Sequence, residues 1–313
     1  MQNILFIGGA GFIGSNIIKT MLAEQTAAKI FVLEPTFANI SRIEQLDVTV
    51  FRGELSDFDN VQSIIEQHEI DTVVHLVSTL IPGSTFEDYK REFQNVIFPS
   101  IELMSLCSKR HIKFIYFSSG GTIYGNRTDT TPFVETDSIA PISYYGWSKQ
   151  MMENGIKYVH RTEGLDYLIL RPSNPYGHGQ RLHAQQGLIA VALGKIFANE
   201  PITVWGDGNS VRDYIYIDDL AKIVCQLMKQ NVKNTILNVG SGVGYSINDI
   251  INELKSIVAE PVRVEHVSSR RVDVANMILD THRLQEYVNL NLTTLHDGIT
   301  KFYEEVKSTY GKS

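Results

Sequence analysis

The chain has 313 residues, of which 43% are hydrophobic and 20% charged, an ordinary composition for a globular protein. Its formal net charge of -7 argues against nucleic acid or an anionic membrane as a partner. The two cysteines, Cys107 and Cys225, lie far apart in apolar segments, which predicts buried thiols in a reducing compartment and no metal site. Since no apolar run reaches the length of a membrane span, we expect a cytoplasmic protein.

Three glycines separate the first predicted strand from the first predicted helix. The apolar strand Ile4–Ile7 is followed by Gly8, Gly11 and Gly14, and helical periodicity runs from residue 15 to residue 24. Glycines at this spacing allow a tight turn, a close approach of the backbone to a pyrophosphate and close packing of helix on strand. The helix N-terminus also supplies free N–H groups to an anion. The segment therefore predicts a dinucleotide site.

A carboxylate follows the second predicted strand. Lys29–Leu33 is followed by Glu34, which is placed to hydrogen-bond the adenosine ribose hydroxyls and to repel a 2′-phosphate. The sequence therefore favours NAD over NADP, and the nearest arginine, Arg42, leaves NADP as the minority option. Glu54 and Leu55, after the next strand, are candidates to flank the adenine.

Further buried strands are predicted at Val48–Phe51, Asp71–Val77 and Ile112–Phe117, because their β-branched and aromatic runs are unbroken. A helix is predicted at Ile97–Cys107 from its apolar spacing. Strands that alternate with helical stretches predict an α/β protein with a doubly wound parallel sheet, in which ligands bind at the carboxyl ends of the strands.

Tyr145 and Lys149 lie four residues apart in a segment whose composition favours a helix. Residues four apart stack on one helix face, so we expect the phenol and the ammonium to point the same way. A cation beside a phenol favours the phenolate, which brings Tyr145 within reach of acid/base chemistry on an alcohol or a carbonyl. The alternative is an amphipathic helix with a solvated lysine.

The predicted strand that ends at Phe117 runs into a hydroxyl-rich turn, Ser118–Gly125, which suits a group that hydrogen-bonds a reacting oxygen. In order and spacing, the glycine pattern, this turn and the Tyr145–Lys149 pair resemble the extended short-chain dehydrogenase/reductase family. They are most similar to its NAD-dependent epimerase/dehydratase members, and among these to UDP-glucose 4-epimerases. The resemblance implies a Rossmann-type sheet with a smaller C-terminal α/β substrate domain.

The resemblance continues along most of the chain. Residues 170–180 look like the family's strand-to-loop segment, which carries Asn174, and residues 204–219 match the pattern GDGxxxRDxIxxxD, which includes Arg212. Residues 238–242 and the segment from Arg270 to Asp280 complete the match.

The resemblance implies roles for individual residues. Tyr145 and Lys149 are implied to be catalytic, with Lys149 lowering the pKa of Tyr145 and bonding the nicotinamide ribose. Arg212 and Arg270 are implied to hold a nucleotide diphosphate, although each is also a candidate for a surface salt bridge. The residues implied to bind the substrate are Thr122, Asn174, Arg212, Arg270 and Met277. The residues implied to contact NAD are Gly8, Gly11, Phe12, Ile13, Gly14, Glu34, Glu54, Leu55, Leu76, Asn95, Tyr145, Lys149 and Pro172.

Three positions depart from the family pattern. Gly120 stands where the family has Ser or Thr, so Thr122, or less favourably Ser119, has to supply the catalytic hydroxyl. Gly187 stands where the type enzyme has an Asn that touches the diphosphate, and a backbone N–H is expected to replace that side chain. Met277 stands near the sugar at a position that sets substrate choice, and a flexible Met leaves that choice open.

The resemblance implies an NAD-dependent 4-epimerase of a nucleotide sugar, a UDP-hexose such as UDP-glucose, UDP-galactose or an N-acetyl derivative, working through a transient 4-keto sugar. The alternative is an NAD(P)H-dependent reductase of a nucleotide 4-keto-6-deoxy sugar, for example dTDP- or GDP-linked, which uses the same Tyr145 and Lys149. A dehydratase is disfavoured because Gly121 and Thr122 stand where that branch carries an Asp-Glu pair. A non-catalytic NAD-binding regulator is disfavoured by the intact Tyr145 and Lys149.

The expected cofactor domain comprises residues 1–172 with parts of 212–239 and 274–282, and the expected substrate domain comprises 173–211 and 240–313. The family implies a homodimer through a four-helix interface, with helices 95–110 and 145–163 from each subunit. Apolar area there is offered by Met151, Met152, Ile156 and Val159, which are also candidates for the core. In bacteria, enzymes of this family commonly supply precursors of surface polysaccharides.

Overall fold

The computed structural model describes residues 2–127, 129–268 and 275–310. The strands are β1 (Gln2–Ile7), β2 (Ala28–Glu34), β3 (Thr49–Arg52), β4 (Thr72–His75), β5 (Lys113–Phe117), β6 (Tyr167–Pro172), β7 (Asn174–Tyr176), β8 (Ile202–Trp205), β9 (Val211–Tyr216), β10 (Thr235–Val239), β11 (Gly244–Ser246), β12 (Val264–Val267) and β13 (Asn276–Met277). The helices are α1 (Phe12–Ala23), α2 (Phe58–Gln67), α3 (Phe86–Glu92), α4 (Phe98–Lys109), α5 (Tyr144–Glu163), α6 (Leu188–Phe197), α7 (Ile217–Lys229), α8 (Ile247–Ile257), α9 (His282–Gln285) and α10 (Leu295–Tyr310). A π-helical turn, Phe93–Ile97, joins α3 to α4.

Seven parallel strands form the central sheet, in the order β10-β6-β5-β4-β1-β2-β3. Strands β4, β5 and β6 are buried at every position because helices cover both faces of the sheet. Helices α1 and α7 pack on one face over side chains such as Ile4 and Phe6. Helices α2, α4 and α5 pack on the other face over side chains such as Leu5 and Ile7. The predicted doubly wound parallel sheet is confirmed.

The five strands predicted in the first half of the chain form within two residues of their expected bounds. Helix α1 begins at Phe12, earlier than its periodicity indicated, because the chain turns into the helix directly at Gly11. The predicted helix at Ile97–Cys107 is present as α4, but the π-helical turn before it was not predicted.

Two smaller sheets lie in the C-terminal half of the chain. In one, strand β9 pairs with β7, β11 and β13, and in the other β8 pairs with β12. Helices α6, α8 and α10 share a core with these sheets that includes Ile189, Ile250 and Phe302. Strand β10 lies in the central sheet, whereas β13 pairs with β9 through Asn276 and Met277. The division into two domains stays a prediction.

The outer faces of α4 and α5 carry large apolar side chains. Of the residues considered for an interface, Met152, Ile156 and Val159 are buried in the core and only Met151 is partly exposed.

Both cysteines are buried and free. Within the described ranges, no helix combines the length and the apolar character needed to cross a membrane.

Candidate active site

The glycine turn after β1 brings backbone atoms into close contact. Gly8 has a φ of +82°, and a Cβ there would lie 3.2 Å from the Val77 nitrogen. A Cβ at Gly14 would lie 2.6 Å from the Gly9 carbonyl oxygen, so only glycine lets α1 approach the turn this closely. Gly11 is the N-cap of α1, and neither a capping side chain nor an acidic residue of the first turn takes up the N-terminal N–H groups. The helix N-terminus is therefore open to an anion.

Glu34 lies at the end of β2 beside the glycine turn. Its side chain is buried, and Oε1 accepts a hydrogen bond from the Ala10 N–H at 2.5 Å. Burial raises the pKa of the Glu34 carboxyl, while the hydrogen bond from Ala10 and the charge of Arg52 lower it. The carboxylate is thus fixed next to the glycine turn. This position agrees with its predicted role as a hydrogen-bond partner of the adenosine ribose.

The first turn of α5 packs closely on the hydroxyl-rich turn after β5. Ser143 caps the helix by accepting a hydrogen bond from the Gly146 N–H at 3.1 Å. A Cβ at Gly146 would lie 2.7 Å from the Thr122 carbonyl oxygen, so the glycine allows this contact. The close approach sets the position of the two residues predicted to be catalytic, which lie on either side of Gly146.

Tyr145 and Lys149 lie side by side in α5, as their spacing predicts. Lys149 is 4% exposed, and its ammonium donates a hydrogen bond to the Phe117 carbonyl oxygen at 3.0 Å. The Lys149 Nζ atom lies 5.5 Å from the centroid of the Tyr145 ring and 5.1 Å from that of Tyr116. The ammonium is therefore held at the end of β5, close to the Tyr145 ring.

The pKa of Tyr145 is raised, contrary to the expectation that Lys149 lowers it. Burial lowers the pKa of Lys149 to about 8, against the raising effects of Glu92 and Glu153. Burial raises the pKa of Tyr145, a hydrogen bond with Ser119 lowers it, and the charge of Glu92 raises it. The net shift is upward because desolvation of the phenol outweighs the hydrogen bond.

A cleft of about 610 Å³ is lined by both the glycine turn and the first turns of α5. Its volume lies in the range typical of small-molecule sites. The predicted site residues that line it are Gly8, Gly11, Phe12, Ile13, Gly14, Leu76, Ser119, Thr122, Tyr145, Lys149, Pro172 and Asn174. The structure thus brings residues from the start and the middle of the chain together around one cleft.

Two hydroxyls of the turn after β5 line the cleft. Ser119 lies close enough to Tyr145 to lower the pKa of its phenol. Thr122 Oγ1 is buried and has no hydrogen-bond partner among the residues the structure describes. The structure therefore brings Ser119, the less favoured candidate, to the phenol and leaves the Thr122 hydroxyl as a group that a ligand can satisfy.

Gly120, between these hydroxyls, has no room for a side chain. A Cβ there would lie 2.5 Å from Leu279 Cδ1 and 3.0 Å from the Arg171 carbonyl oxygen. Leu279 is fully buried in a small cluster that also contains Tyr124 and Phe133. The hydroxyl expected from the family pattern is therefore absent, and Leu279 fills the space in which that side chain would begin.

A second cavity of about 230 Å³ adjoins the cleft, because Asn174, Pro175 and Gly187 line both. Asn174 Nδ2 donates a hydrogen bond to the Asp213 carbonyl oxygen at 2.8 Å, which fixes its side chain at the junction. The other residues that line the second cavity are Tyr176, Leu188, Ile189, Trp205, Ser210, Arg212, Tyr214 and Ile247. Of the predicted residues, Asn174 thus lines both cavities and Arg212 lines only the second.

Several predicted residues line neither cavity. Glu54 and Asn95 are exposed, and Leu55 is buried. Met277 is fully buried beside Leu279, because the pairing of β13 with β9 turns it into the core, so the structure does not bring it to the cleft. Arg270 lies outside the described residues.

Sequence reasoning missed a buried ion pair next to the site. Arg171 Nε and Nη2 donate to the two oxygens of Glu153 at 2.8 and 2.6 Å, and both side chains are at most 1% exposed. Arg171 also donates to the Tyr124 hydroxyl at 2.8 Å, and this hydroxyl donates to Asn238 Oδ1 at 2.6 Å. The network ties α5 to β6 and β10. A charged residue inside the apolar run of β6 was the available signal.

A family model described as the NAD dependent epimerase/dehydratase family matches residues 4–240. The chain belongs to this family. A dTDP-4-dehydro-6-deoxyglucose reductase from Escherichia coli is 29% identical over 98% of this chain and 98% of its own length. A UDP-glucose 4-epimerase from Yersinia enterocolitica is 30% identical over 88% of each chain. A UDP-glucose 4-epimerase from Thermotoga maritima, solved with UDP-glucose, matches with a TM-score of 0.91 and 28% identity over 98% of this chain and 99% of that one.

Membership of the NAD-dependent epimerase/dehydratase family confirms the predicted cofactor, and the described residues fit it. The uncapped N-terminus of α1 and the close contact at Gly14 form a cradle for a pyrophosphate. Glu34 lies beside that cradle, and Lys149 and Tyr145 line the same cleft as the glycine turn.

Proposed function

We propose that this family member is an NAD-dependent nucleotide-sugar 4-epimerase that interconverts UDP-hexoses, such as UDP-glucose and UDP-galactose or their N-acetyl derivatives, through a transient 4-keto sugar. The observation that carries the proposal is that the glycine turn, Tyr145 and Lys149 line one cleft and that Arg212 lines the cavity adjoining it. A dinucleotide, a reacting sugar and a second nucleotide need neighbouring sites in this order. The likeness to UDP-glucose 4-epimerases over most of the chain supports the same function.

When bound, NAD supplies the acceptor that takes up a hydride and later returns it. The chain's own residues bind the reactants and move the proton. Tyr145 would take the proton of the sugar 4-hydroxyl and return it to the keto oxygen, and the neighbouring Ser119 lowers the pKa of the phenol. The Lys149 ammonium places a buried positive charge near the phenolate that forms.

The cleft and the second cavity would bind different parts of the cofactor and the substrate. The glycine turn and α1 would hold the cofactor's pyrophosphate, and Glu34 its adenosine ribose. Arg212 would hold the substrate's diphosphate, and Asn174 would contact the sugar or the diphosphate at the junction of the two cavities. Fixing the nucleotide while leaving the sugar free to turn is what an epimerase requires.

The cofactor content of the purified protein tests the proposal. The protein is denatured without added cofactor, and the released nucleotide is identified by chromatography. Stoichiometric NAD supports an enzyme that recycles a tightly held cofactor. An enzyme without bound nucleotide that takes up NADH or NADPH freely contradicts the epimerase.

A second candidate is the NAD(P)H-dependent reductase of a nucleotide 4-keto-6-deoxy sugar. The observation that favours it is the 29% identity to the Escherichia coli dTDP-4-dehydro-6-deoxyglucose reductase over 98% of this chain. The same Tyr145 would then give a proton to the keto oxygen in each turnover. Consumption of one NADH or NADPH per sugar reduced distinguishes this reaction from epimerisation.

We also propose a homodimer through α4 and α5, two helices from each subunit. Large apolar side chains on these helices support it, since Phe98 is 53%, Trp147 41% and Tyr158 56% exposed. Phe98→Glu and Tyr158→Glu are expected to give monomers in light scattering coupled to size exclusion. Phe37→Glu is the matched control, because Phe37 is 84% exposed and lies outside both helices. A monomeric wild-type protein would contradict the proposal.

Cytoplasmic location and a role in supplying sugar nucleotides for surface polysaccharides remain part of this proposal. Cell fractionation and the sugar composition of a deletion strain test them.

A further inference from the structure

A buried carboxylate lies near the catalytic pair without a cation of its own. Glu92, the last residue of α3, is 2% exposed. It accepts hydrogen bonds from Ser78 Oγ at 2.9 Å, from the Thr79 N–H at 2.9 Å and from Thr79 Oγ1 at 2.6 Å. No ion pair among the described residues includes Glu92. The three donors occupy both carboxylate oxygens, and no cation among the described residues contacts them.

Lys149 is the buried cation of the same region. Its ammonium donates to the neutral carbonyl of Phe117, and it forms no ion pair with any residue in the described part of the chain. The other buried carboxylate nearby, Glu153, is already compensated by Arg171 at 2.6 Å and by Lys157 at 3.4 Å. One acid and one base therefore remain without a direct partner, and their charges are opposite.

A hydrogen-bond donor to Glu92 lines the same cleft as Lys149. Helix α3 packs on α5, and Ser78, which donates to Glu92, lines the cleft together with Tyr145 and Lys149. The charge of Glu92 is the largest of the effects that raise the pKa of Lys149 against burial. Since buried charges are weakly screened by solvent and salt, this interaction acts without direct contact.

We propose that Glu92 is a positioning residue whose buried carboxylate supplies the counter-charge that keeps Lys149 an ammonium while Tyr145 and Lys149 act on the substrate. The inference rests on the proposed function only in taking these two residues as the reacting pair. Neither the family resemblance nor the charged sequence of α3 assigns Glu92 a part in it.

The other titratable groups that face Lys149 are either neutral or already paired. Tyr116 on β5 lies under the ammonium, and burial raises its pKa well above the usual value, so it is neutral. His75 on β4 is neutral at physiological pH, because burial lowers its pKa to about 3. Glu153, on α5 itself, also raises the pKa of Lys149, but its carboxylate is already paired with Arg171. Of the two carboxylates that act on the ammonium, Glu92 is the one without an ion-pair partner among the described residues.

Replacing Glu92 by Gln keeps the shape of the side chain and removes its charge. Both the Lys149 ammonium and the Tyr145 phenol should then lose their protons at lower pH, since the negative charge raises both pKa values. We expect both limbs of the pH profile of kcat/KM to move to lower pH by roughly one unit, the size typical of one nearby buried charge. A merely structural role would lower activity at every pH and leave the limbs in place.

Three further variants separate charge from packing. Glu92→Asp keeps the charge and should restore most of the wild-type profile. Thr79→Val removes one hydrogen bond but not the carboxylate, so it should shift the limbs less than Glu92→Gln. Glu87→Gln neutralises a carboxylate of the same helix that is 68% exposed and paired with Lys90, and it should leave the profile unchanged.

A measurement that needs no turnover closes the test. The side-chain amine of Lys149 is titrated by NMR in protein with isotope-labelled lysine, and its signal is assigned by its loss in Lys149→Arg. A lower Lys149 pKa in Glu92→Gln than in wild type and Glu87→Gln supports the inference, and an unchanged Lys149 titration overturns it. If no sugar nucleotide is turned over, the proposed function fails, and the NMR titration still decides the role of Glu92.

Discussion

Position 120 offers a sharp test of the site, because the family resemblance and the structure lead to opposite expectations there. The resemblance would have Gly120→Ser restore a missing catalytic hydroxyl. In the structure, the first atom of any side chain at this position would lie 2.5 Å from Leu279 Cδ1 and 3.0 Å from the Arg171 carbonyl oxygen. We predict that Gly120→Ser destabilises the protein and does not raise activity.

The size of the effect follows from the packing around Leu279. Its side chain is fully buried beside Ile123, Tyr124 and Phe133, so it cannot move away without displacing neighbours. Overpacking of this kind costs about 1–3 kcal/mol. Leu279→Ala alone should cost about 2–5 kcal/mol through the cavity it leaves. In the double variant the serine has space, so most of its own cost should disappear.

Urea denaturation of the four proteins, wild type, the two single variants and the double variant, measures this coupling. We expect an interaction free energy of about 1–3 kcal/mol in favour of the double variant, as found for residues in direct contact. Refutation would be a Gly120→Ser protein as stable as wild type, or a serine that costs the same with and without Leu279.

Further variants and conditions test the remaining parts of the site. Tyr145→Phe should abolish turnover while leaving NAD bound, and retained activity would remove Tyr145 from the chemistry. Arg171→Met should cost about 3–5 kcal/mol in urea denaturation, because it leaves the buried Glu153 without its partner, whereas Arg171→Met combined with Glu153→Met should cost much less; equal costs would contradict the ion pair. Because burial lowers the pKa of Lys149 to about 8, its ammonium is lost as the pH rises through that value and offsets the gain in Tyr145 phenolate, so kcat/KM should stop rising at about pH 8, and a profile that keeps rising well above this pH would contradict the role of the ammonium.

The central sheet and the helix with the catalytic pair were predictable because each is marked by local pattern. Strand β6 is buried at every position since both of its faces are covered, and Tyr145 and Lys149 share a helix face at any register of the helix. The glycine turn is equally local, since its contacts join residues a few positions apart.

The rest depends on contacts between distant segments. Gly120 meets Leu279, and Met277 is turned into the core by the pairing of β13 with β9, so neither fact is visible in the local sequence. Glu92 lies in a strongly charged stretch that favours a solvated helix end, and only the fold of Ser78 and Thr79 around it makes it a buried group. The raised pKa of Tyr145 likewise follows from burial, which spacing alone does not give.

The most direct test of the proposed 4-epimerase follows the hydride itself. A UDP-hexose with deuterium at carbon 4 is incubated with the purified protein without added cofactor, and the products are followed by NMR. We predict that the 4-epimer forms, that it keeps the deuterium at carbon 4, and that no reduced cofactor accumulates. Failure to form an epimer from any UDP-hexose, together with NADH- or NADPH-dependent reduction of a nucleotide 4-keto sugar, would contradict the epimerase and establish the reductase.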